Sequence, residues 1–343
     1  IEKPLKGSQI AIKCLEKQGV DVVFAYPGGT AIELHQALQD SSLRVILPRH
    51  EQGGAFAANG YARATGKVGV AMATSGPGAT NLLTGIADAY MDSVPTVFIT
   101  GQVVSSMIGK NVFQETDIIG MTRPIVKHSY LVLDARELPR VIKEAFYLAG
   151  SGRPGPVIVD IPKNVQQQYA KVDFDAPMTL QAYDPDPDPK ASADEITAIR
   201  TMIGACSKPC LYIGGGIISA EASVELREFA EGYNLPVTST MMGLGAFPLD
   251  HPLSLHWPGM HGTVYANNAI NECDLLIAFG ARFDDRVTGN PAHFAVDAKI
   301  IHVDIDPSEI NKNKIATLGV VANIKEVLIE LNRDPIFKEY KEW

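Results

Sequence analysis

Within the stretch LPRHEQGGAFAANGYARATG, residues 47–66, a single carboxylate, Glu51, opens a run of Ala and Gly just after an apolar, strand-like run at 43–47. Small residues pack closely, and a carboxylate packed among them needs a partner. Three other apolar runs end in turns that would hold backbone near a ligand: Tyr26-Pro27-Gly28-Gly29, Thr74-Ser75-Gly76-Pro77-Gly78 and Gly101-Gln102. Each alone reads as an ordinary turn, and a Glu at a helix start as a complement to the dipole. In an open parallel sheet, ligands bind beyond the carboxyl ends of the strands, so four such ends on one edge make a candidate site. The pattern is not that of a hydrolase. G-x-S-x-G is absent, Ser75 has no evident base, His50-Glu51 lacks the second His of H-E-x-x-H, and no P-loop occurs. A carboxylate without metal or nucleophile suits polarising the heterocycle of an organic cofactor, which then carries the chemistry.

A second glycine turn lies further on. LYIGGGIIS follows a strand-like run and precedes a helix-like one, so its backbone N–H groups could cradle a diphosphate. It departs from G-x-G-x-x-G at the last position, where Ser219 stands, and the next strand does not end in an acid, so it is not an NAD signature. GARFDDR and VDIDP both close strands, and Asp304 could hold a ribose hydroxyl.

The elements that must position these residues alternate strand and helix. Ile10, Ala11, Cys14 and Leu15 share one helical face behind Ser8, a candidate N-cap. Strand-like runs follow at 20–26, 45–47, 68–74 and 96–100, with helix-like segments at 53–64 and 79–90. Thr30 and Glu33 form a capping box for another helix. ELPRVIKEAFYLAG and GPVIVDIP add a last helix and strand. The stretch 164–189 breaks the pattern, and AYDPDPDPKA within it is a Pro/Asp linker. Alternation then resumes with PCLYIGGG, a helix near 220–233, LPVTST, a helix near 264–272, DLLIAFGARFDDR, KIIHVDID and a final helix from Ile324. Repeated β-α-β predicts an α/β fold of two doubly wound parallel-sheet domains, over 1–165 and 190–335 with a linker at 166–189.

A chain of 343 residues, 46% hydrophobic and 20% charged, is large enough for two cores. Its formal charge of −9 argues against nonspecific binding to nucleic acid or an anionic membrane, and no apolar window reaches membrane-spanning length. Cys14, Cys206, Cys210 and Cys273 are scattered without nearby His, which reads as reduced thiols and no metal site. IEKPLKGSQI lacks signal- or transit-peptide character, and a cytoplasmic location is expected.

FAYPGG, RHEQGGAFAANGYARATGKVGVAMATSGPGATN, AYMDSVPTVFITGQV, FQETDIIGMTRPIVKHSYLV and SGRPGPVIVDIPKNVQQ occur in this order. Together they resemble the large catalytic subunits of the acetohydroxyacid (acetolactate) synthases, a branch of the thiamine-diphosphate-dependent enzymes. The likeness covers essentially the whole chain. It implies a pyrimidine-binding domain followed by a central FAD-binding domain. It also implies condensation of pyruvate with a second 2-keto acid, pyruvate or 2-ketobutyrate, to give 2-acetolactate or 2-aceto-2-hydroxybutyrate for branched-chain amino acids. Thiamine diphosphate, FAD and Mg²⁺ are the cofactors implied, with a homodimer of catalytic subunits and a small regulatory subunit as partners.

By this resemblance Glu51 is the catalytic residue, hydrogen-bonding N1′ of the cofactor's aminopyrimidine and favouring its imino tautomer. Tyr26, Pro27, Thr74, Pro77, Gly78, Asn81 and Gln114 would line the thiamine-diphosphate site, while Gly28, Gly29, Gln102, Phe113 and Lys127 would meet substrate. The flavin set carried over is Arg153, Gly214, Gly215, Gly216, Thr240, Met241, Met242, Gly259, Met260, His261, Gly280, Arg282, Asp284, Arg286, Val287, Asp304, Ile305 and Asn323. Ala322-Asn323 stands where the family usually shows Gly-Asp. The family's third domain, whose Gly-Asp-Gly motif and downstream Asn hold Mg²⁺ and the diphosphate, has no match here, so a fragment silent on its own is expected. Pyruvate oxidase and oxalyl-CoA decarboxylase share the expected fold, and a noncatalytic nucleotide-binding module is the alternative of a different class.

Overall fold

The computed structural model describes residues 3–180, 188–340 and 343. The chain divides into two compact units, Ile1–Asp184 and Pro185–Trp343. Residues 181–187, the middle of the expected Pro/Asp linker, lie outside the described residues.

The first unit contains β1 (Leu5–Lys6), β2 (Val22–Ala25), β3 (Arg44–Ile46), β4 (Gly69–Ala73), β5 (Thr96–Gln102), β6 (His128–Leu131), β7 (Pro156–Pro162) and β8 (Tyr169–Ala170). β1 and β8 pair antiparallel. The others form a parallel sheet in the order β3-β2-β4-β5-β7-β6. β4, β5 and β7 are buried at every residue, as strands covered on both faces must be. On one face the helices Gly7–Lys17 and Leu138–Gly150 bring Ile10, Leu15, Val141 and Ile142 against Val70, Val97 and Val159. On the other, Ala55 and Ala58 of the helix Glu51–Thr65 and Ile86 of the helix Leu83–Met91 pack on Phe24, Ala71, Phe98 and Ile158. Each fully buried large aliphatic side chain contributes roughly 1.5–3 kcal/mol. Strand order reverses between β2 and β4, and such a reversal opens a crevice at the strands' carboxyl ends.

The second unit repeats the plan with β9 (Pro209–Ile213), β10 (Val237–Ser239), β11 (Leu275–Phe279), β12 (Lys299–Asp304) and β13 (Leu318–Val321). These are parallel in the order β10-β9-β11-β12-β13, reversing between β9 and β11. Ile199, Leu226, Phe229 and Leu328 cover one face, while Tyr212, Ile270 and Phe294 join the core on the other. Among the described residues no helix is long and apolar enough to cross a membrane.

Three local expectations are corrected. Ser8 is not a cap: the helix begins at Gly7 behind Lys6, and Ser8 is buried inside it. Thr30 and Glu33 make no capping box, because the helix Ile32–Gln39 starts behind Ala31 with no side-chain cap. Tertiary partners have taken both side chains: Glu33 accepts from Lys6 Nζ (3.2 Å) and Gln167 Nε2 (3.0 Å), and Thr30 turns to Thr74. The helix expected at 79–90 is two, Pro77–Asn81 and Leu83–Met91.

Candidate active site

The crevice between β2 and β4 is tied shut at its base by hydroxyls. Thr30 N donates to Thr74 Oγ1 (3.1 Å), the two hydroxyls share a 3.0 Å hydrogen bond, and Ser75 N donates to Thr30 Oγ1 (2.9 Å). Gly28 lies so close that a Cβ there would sit 2.4 Å from Thr74 Cβ. Only glycine lets the two strand ends approach in this way.

Glu51 begins the helix Glu51–Thr65 behind His50, whose Nδ1 accepts from Gln52 N at 3.1 Å. A carboxylate in this first turn meets the positive end of the helix dipole. Its partner in this chain is Asn81, whose Nδ2 donates to Glu51 Oε2 at 2.9 Å. The other oxygen faces Gly78, where a Cβ would lie 3.3 Å from Glu51 Oε1 and 2.7 Å from Thr74 Cγ2. Gly78 thus keeps open the space beside the carboxylate. Ser75 Oγ, fully buried in the same turn, has no hydrogen-bond partner.

Gln114 reaches the crevice along its backbone. Gly76 has φ +62°, and a Cβ on it would meet Gln114 O at 2.8 Å and Gln114 Cα at 2.9 Å. Gln114 itself has φ +59°, a left-handed conformation that costs a non-glycine residue about 1 kcal/mol or more. Its Oε1 lies 4.0 Å from where a Gly29 Cβ would be. Gly28, Gly29, Glu51, Thr74, Gly78, Asn81 and Gln114 are therefore brought together, with Tyr26, Pro27 and Pro77 in the same turns.

Other expected positions differ. The Lys127 ammonium donates to Ser151 O (2.7 Å) and Leu148 O, so it caps the carboxyl end of the helix Leu138–Gly150 instead of standing free for a substrate. Phe113 is 88% exposed. Gln102 is buried and its amide is fully engaged: Nε2 donates to Asp160 Oδ2 (2.9 Å) and Thr116 O (3.0 Å), while Oε1 accepts from Val103 N (2.9 Å). Asp160 is an addition to the expected residues. Thr100 Oγ1 donates to its Oδ1 at 2.7 Å, and burial pushes its carboxyl up to about 7 against the pull of these two donors. A lone acid inside the apolar run of β7 is the signal that sequence offers for it.

At the β9/β11 reversal the contact is backbone on backbone. A Cβ on Gly214 would lie 2.1 Å from Gly280 O, and one on Gly216 would lie 2.6 Å from Gly280 Cα. Gly215 faces Met242, and Thr240 N donates to Ile213 O (2.8 Å), which turns Met241 and Met242 outward. Gly259 (φ +101°) packs on Arg286 O, and beside it Met260 and His261 are exposed. Arg282 pairs with Asp284 at 2.9 Å, and Asp284 accepts from Arg286 N (2.8 Å) ahead of Val287. Asp304 accepts from Asp306 N (2.9 Å) beside Ile305. Asn323 caps the helix Ile324–Asn332 and donates to Asp188 Oδ1 at 2.7 Å, so its amide is used within the unit. Arg153, in the first unit, donates to Ser93 Oγ at 2.8 Å. Among the described residues no cluster of His, Cys, Asp and Glu is placed to hold a metal.

Residues 5–121 match the family model for the N-terminal TPP-binding domain of thiamine pyrophosphate enzymes, and residues 196–331 match that for their central domain. The chain belongs to the thiamine pyrophosphate enzymes. Within this family it is 54% identical to the chloroplastic acetolactate synthase of Arabidopsis thaliana over 333 residues, which is 97% of this chain and 49% of that protein. It is 55% identical to chloroplastic acetolactate synthase 2 of Nicotiana tabacum over 332 residues, 96% of this chain and 50% of that protein. Chloroplastic acetolactate synthase 1 of Oryza sativa subsp. japonica is also 55% identical, over 96% of this chain and 51% of its own. The chain spans about half the length of the curated relatives it matches.

Proposed function

We propose that this chain forms the pyrimidine-binding and central domains of an acetolactate synthase catalytic subunit, which decarboxylates pyruvate and joins the remaining two-carbon unit to a second 2-keto acid. The observation that carries this reading is the Glu51 carboxylate, held by Asn81 on one oxygen and facing space kept open by Gly78 on the other. A flat heterocycle fits such a glycine-lined slot, and a ring nitrogen there would meet the free oxygen. Glu51 would hold the proton at that nitrogen, Asn81 would fix the carboxylate's orientation, and the Thr30–Thr74 hydroxyls would keep the slot's width. Thiamine diphosphate supplies the electron sink for decarboxylation when bound.

FAD is the proposed ligand of the second unit. Its β9/β11 crevice has the glycine turns and the Arg282 and Arg286 cations that a dinucleotide's diphosphate requires. Mg²⁺, a homodimer and a small regulatory subunit belong to the same proposal, with the metal and cofactor diphosphate held by residues outside this chain. The test is acetolactate formation from pyruvate by the gene product that carries these residues, together with calorimetric titration of FAD, ADP and NAD. Acetolactate formation with tight FAD binding is expected. ADP binding without FAD, and no acetolactate, would move the assignment to an oxalyl-CoA-decarboxylase-like enzyme.

A further inference from the structure

The segment 103–116 leaves the end of β5, carries Phe113 and Gln114, and returns at Thr116 to the short helix Ile118–Thr122. Three of its residues, Gly109, Asn111 and Gln114, have positive φ, and beyond the single 3-10 turn Ser105–Met107, tied to Asn164 through Ser105, it contains no helix or strand. Both of its ends meet one side chain. Gln102 Oε1 accepts from Val103 N, and Gln102 Nε2 donates to Thr116 O. An amide can make this pair of contacts in only one of its two orientations. Asp160 reinforces that orientation, because its Oδ2 takes the second proton of Gln102 Nε2, and with any carboxyl proton on Oδ1 beside Thr100 this acceptor remains in either charge state. Thr100, opposite Asp160 in the β5–β7 register, fixes the carboxylate in turn through Oδ1.

Beside this group lies a cavity of about 330 Å³, with Gln102 and Asp160 in its wall and Ile108, Gly109, Glu115 and Thr116 from the segment around it. The segment therefore has room to shift once its ends are released. We propose that Asp160 is a positioning residue: by fixing the Gln102 amide, it ties both ends of segment 103–116 and so holds Gln114 against Gly76 and Gly29 in the active-site crevice. The link to catalysis rests on the acetolactate synthase reading above, but the tie itself does not.

Two replacements separate the effects. In Asp160→Asn, the new amide oxygen accepts from Gln102 and its NH₂ donates to the Thr100 hydroxyl, so the tie survives without charge. In Asp160→Leu, Gln102 loses its acceptor. Hydrogen exchange of the gene product, read without substrate, is expected to quicken about tenfold across 103–116 in the Leu variant, as loss of one hydrogen bond implies, and to stay close to wild type in the Asn variant. Gln102→Leu, which leaves the Asp160–Thr100 pair in place, loosens the same segment and serves if Asp160→Leu does not fold. In the acetolactate assay the Leu variant raises KM for pyruvate about tenfold with a smaller change in kcat, and Asn restores it. Unchanged exchange at 103–116 in both Leu variants, or equal loosening by Asn and Leu, overturns the proposal. Loosened exchange in a protein that makes no acetolactate upholds the tie and overturns only the function.

Discussion

At the β2/β4 reversal, Gly28 and Gly78 press on the side chain of Thr74; at the β9/β11 reversal, Gly214 and Gly216 press on the backbone of Gly280. The two crevices share one topology, yet the contact chemistry differs. Side-chain contact leaves hydroxyls, an amide and a carboxylate at the first crevice floor. Backbone contact leaves peptide N–H and C=O groups at the second, with the Arg282–Asp284 pair following β11 and the buried Asp304 ending β12. On the function proposed above, the first arrangement manages a proton beside a heterocycle and the second holds a ligand, so one fold would supply both by changing what the glycines touch.

Glycine replacements test that contrast most strongly. Gly214→Ala drives a Cβ into a carbonyl oxygen that cannot rotate away, and it is expected to cost its unit about 3 kcal/mol in urea unfolding. Gly78→Ala meets Thr74 Cγ2 at 2.7 Å, a methyl that rotation about χ1 can move aside, and about 1–2 kcal/mol is expected. Equal losses would erase the distinction between side-chain and backbone contact.

Asp160→Asn gives a pH-dependent effect. Burial raises the Asp160 carboxyl from 3.8 to about 7, and the nearby Asp117 carboxylate pushes the same way. The folded protein keeps this proton up to about pH 7, whereas the unfolded chain releases it near pH 4. Wild-type stability therefore falls as pH rises through that window and levels off above it. Asn has nothing to release, so its advantage over wild type should grow across the same window to roughly 4 kcal/mol, measured by urea midpoints at several pH values. An advantage independent of pH would show that Asp160 is ionised throughout. Phe113→Ala should be the mildest change, within about 0.5 kcal/mol of wild-type stability, because the ring is almost fully exposed.

Most of the two sheets is legible in the amino-acid sequence. The buried runs of β4, β5, β7, β9 and β11 are largely apolar, and their Gly/Pro ends mark both crevices. β6 and β13 are harder to find because edge strands are partly exposed and interrupted by polar or small residues, as HSYL and LGVV show. The helix Ala193–Ala205 is absent from the expected elements although Ser192 and Glu195 form the capping box that announces it. The opposite error at Thr30 and Glu33 has a physical cause: local capping chemistry loses to tertiary partners 44 residues away for Thr30 and 134 for Glu33. Glu51 stands out as a lone acid among small residues. Asp160 does not, because a single polar residue within an apolar strand shows its role only when Thr100 and Gln102 are placed beside it.

Glu51→Gln in the gene product decides whether the carboxylate serves the cofactor ring, with kcat for acetolactate formation and the thiamine diphosphate dissociation constant measured together. Glutamine keeps the Asn81 contact but cannot hold a proton at the ring nitrogen as a carboxylate does. The expected result is a kcat lower by about 10²–10⁴-fold, the range for losing a positioned acid–base group, with cofactor affinity within about tenfold of wild type. A kcat within tenfold of wild type, with the cofactor still bound, would contradict it.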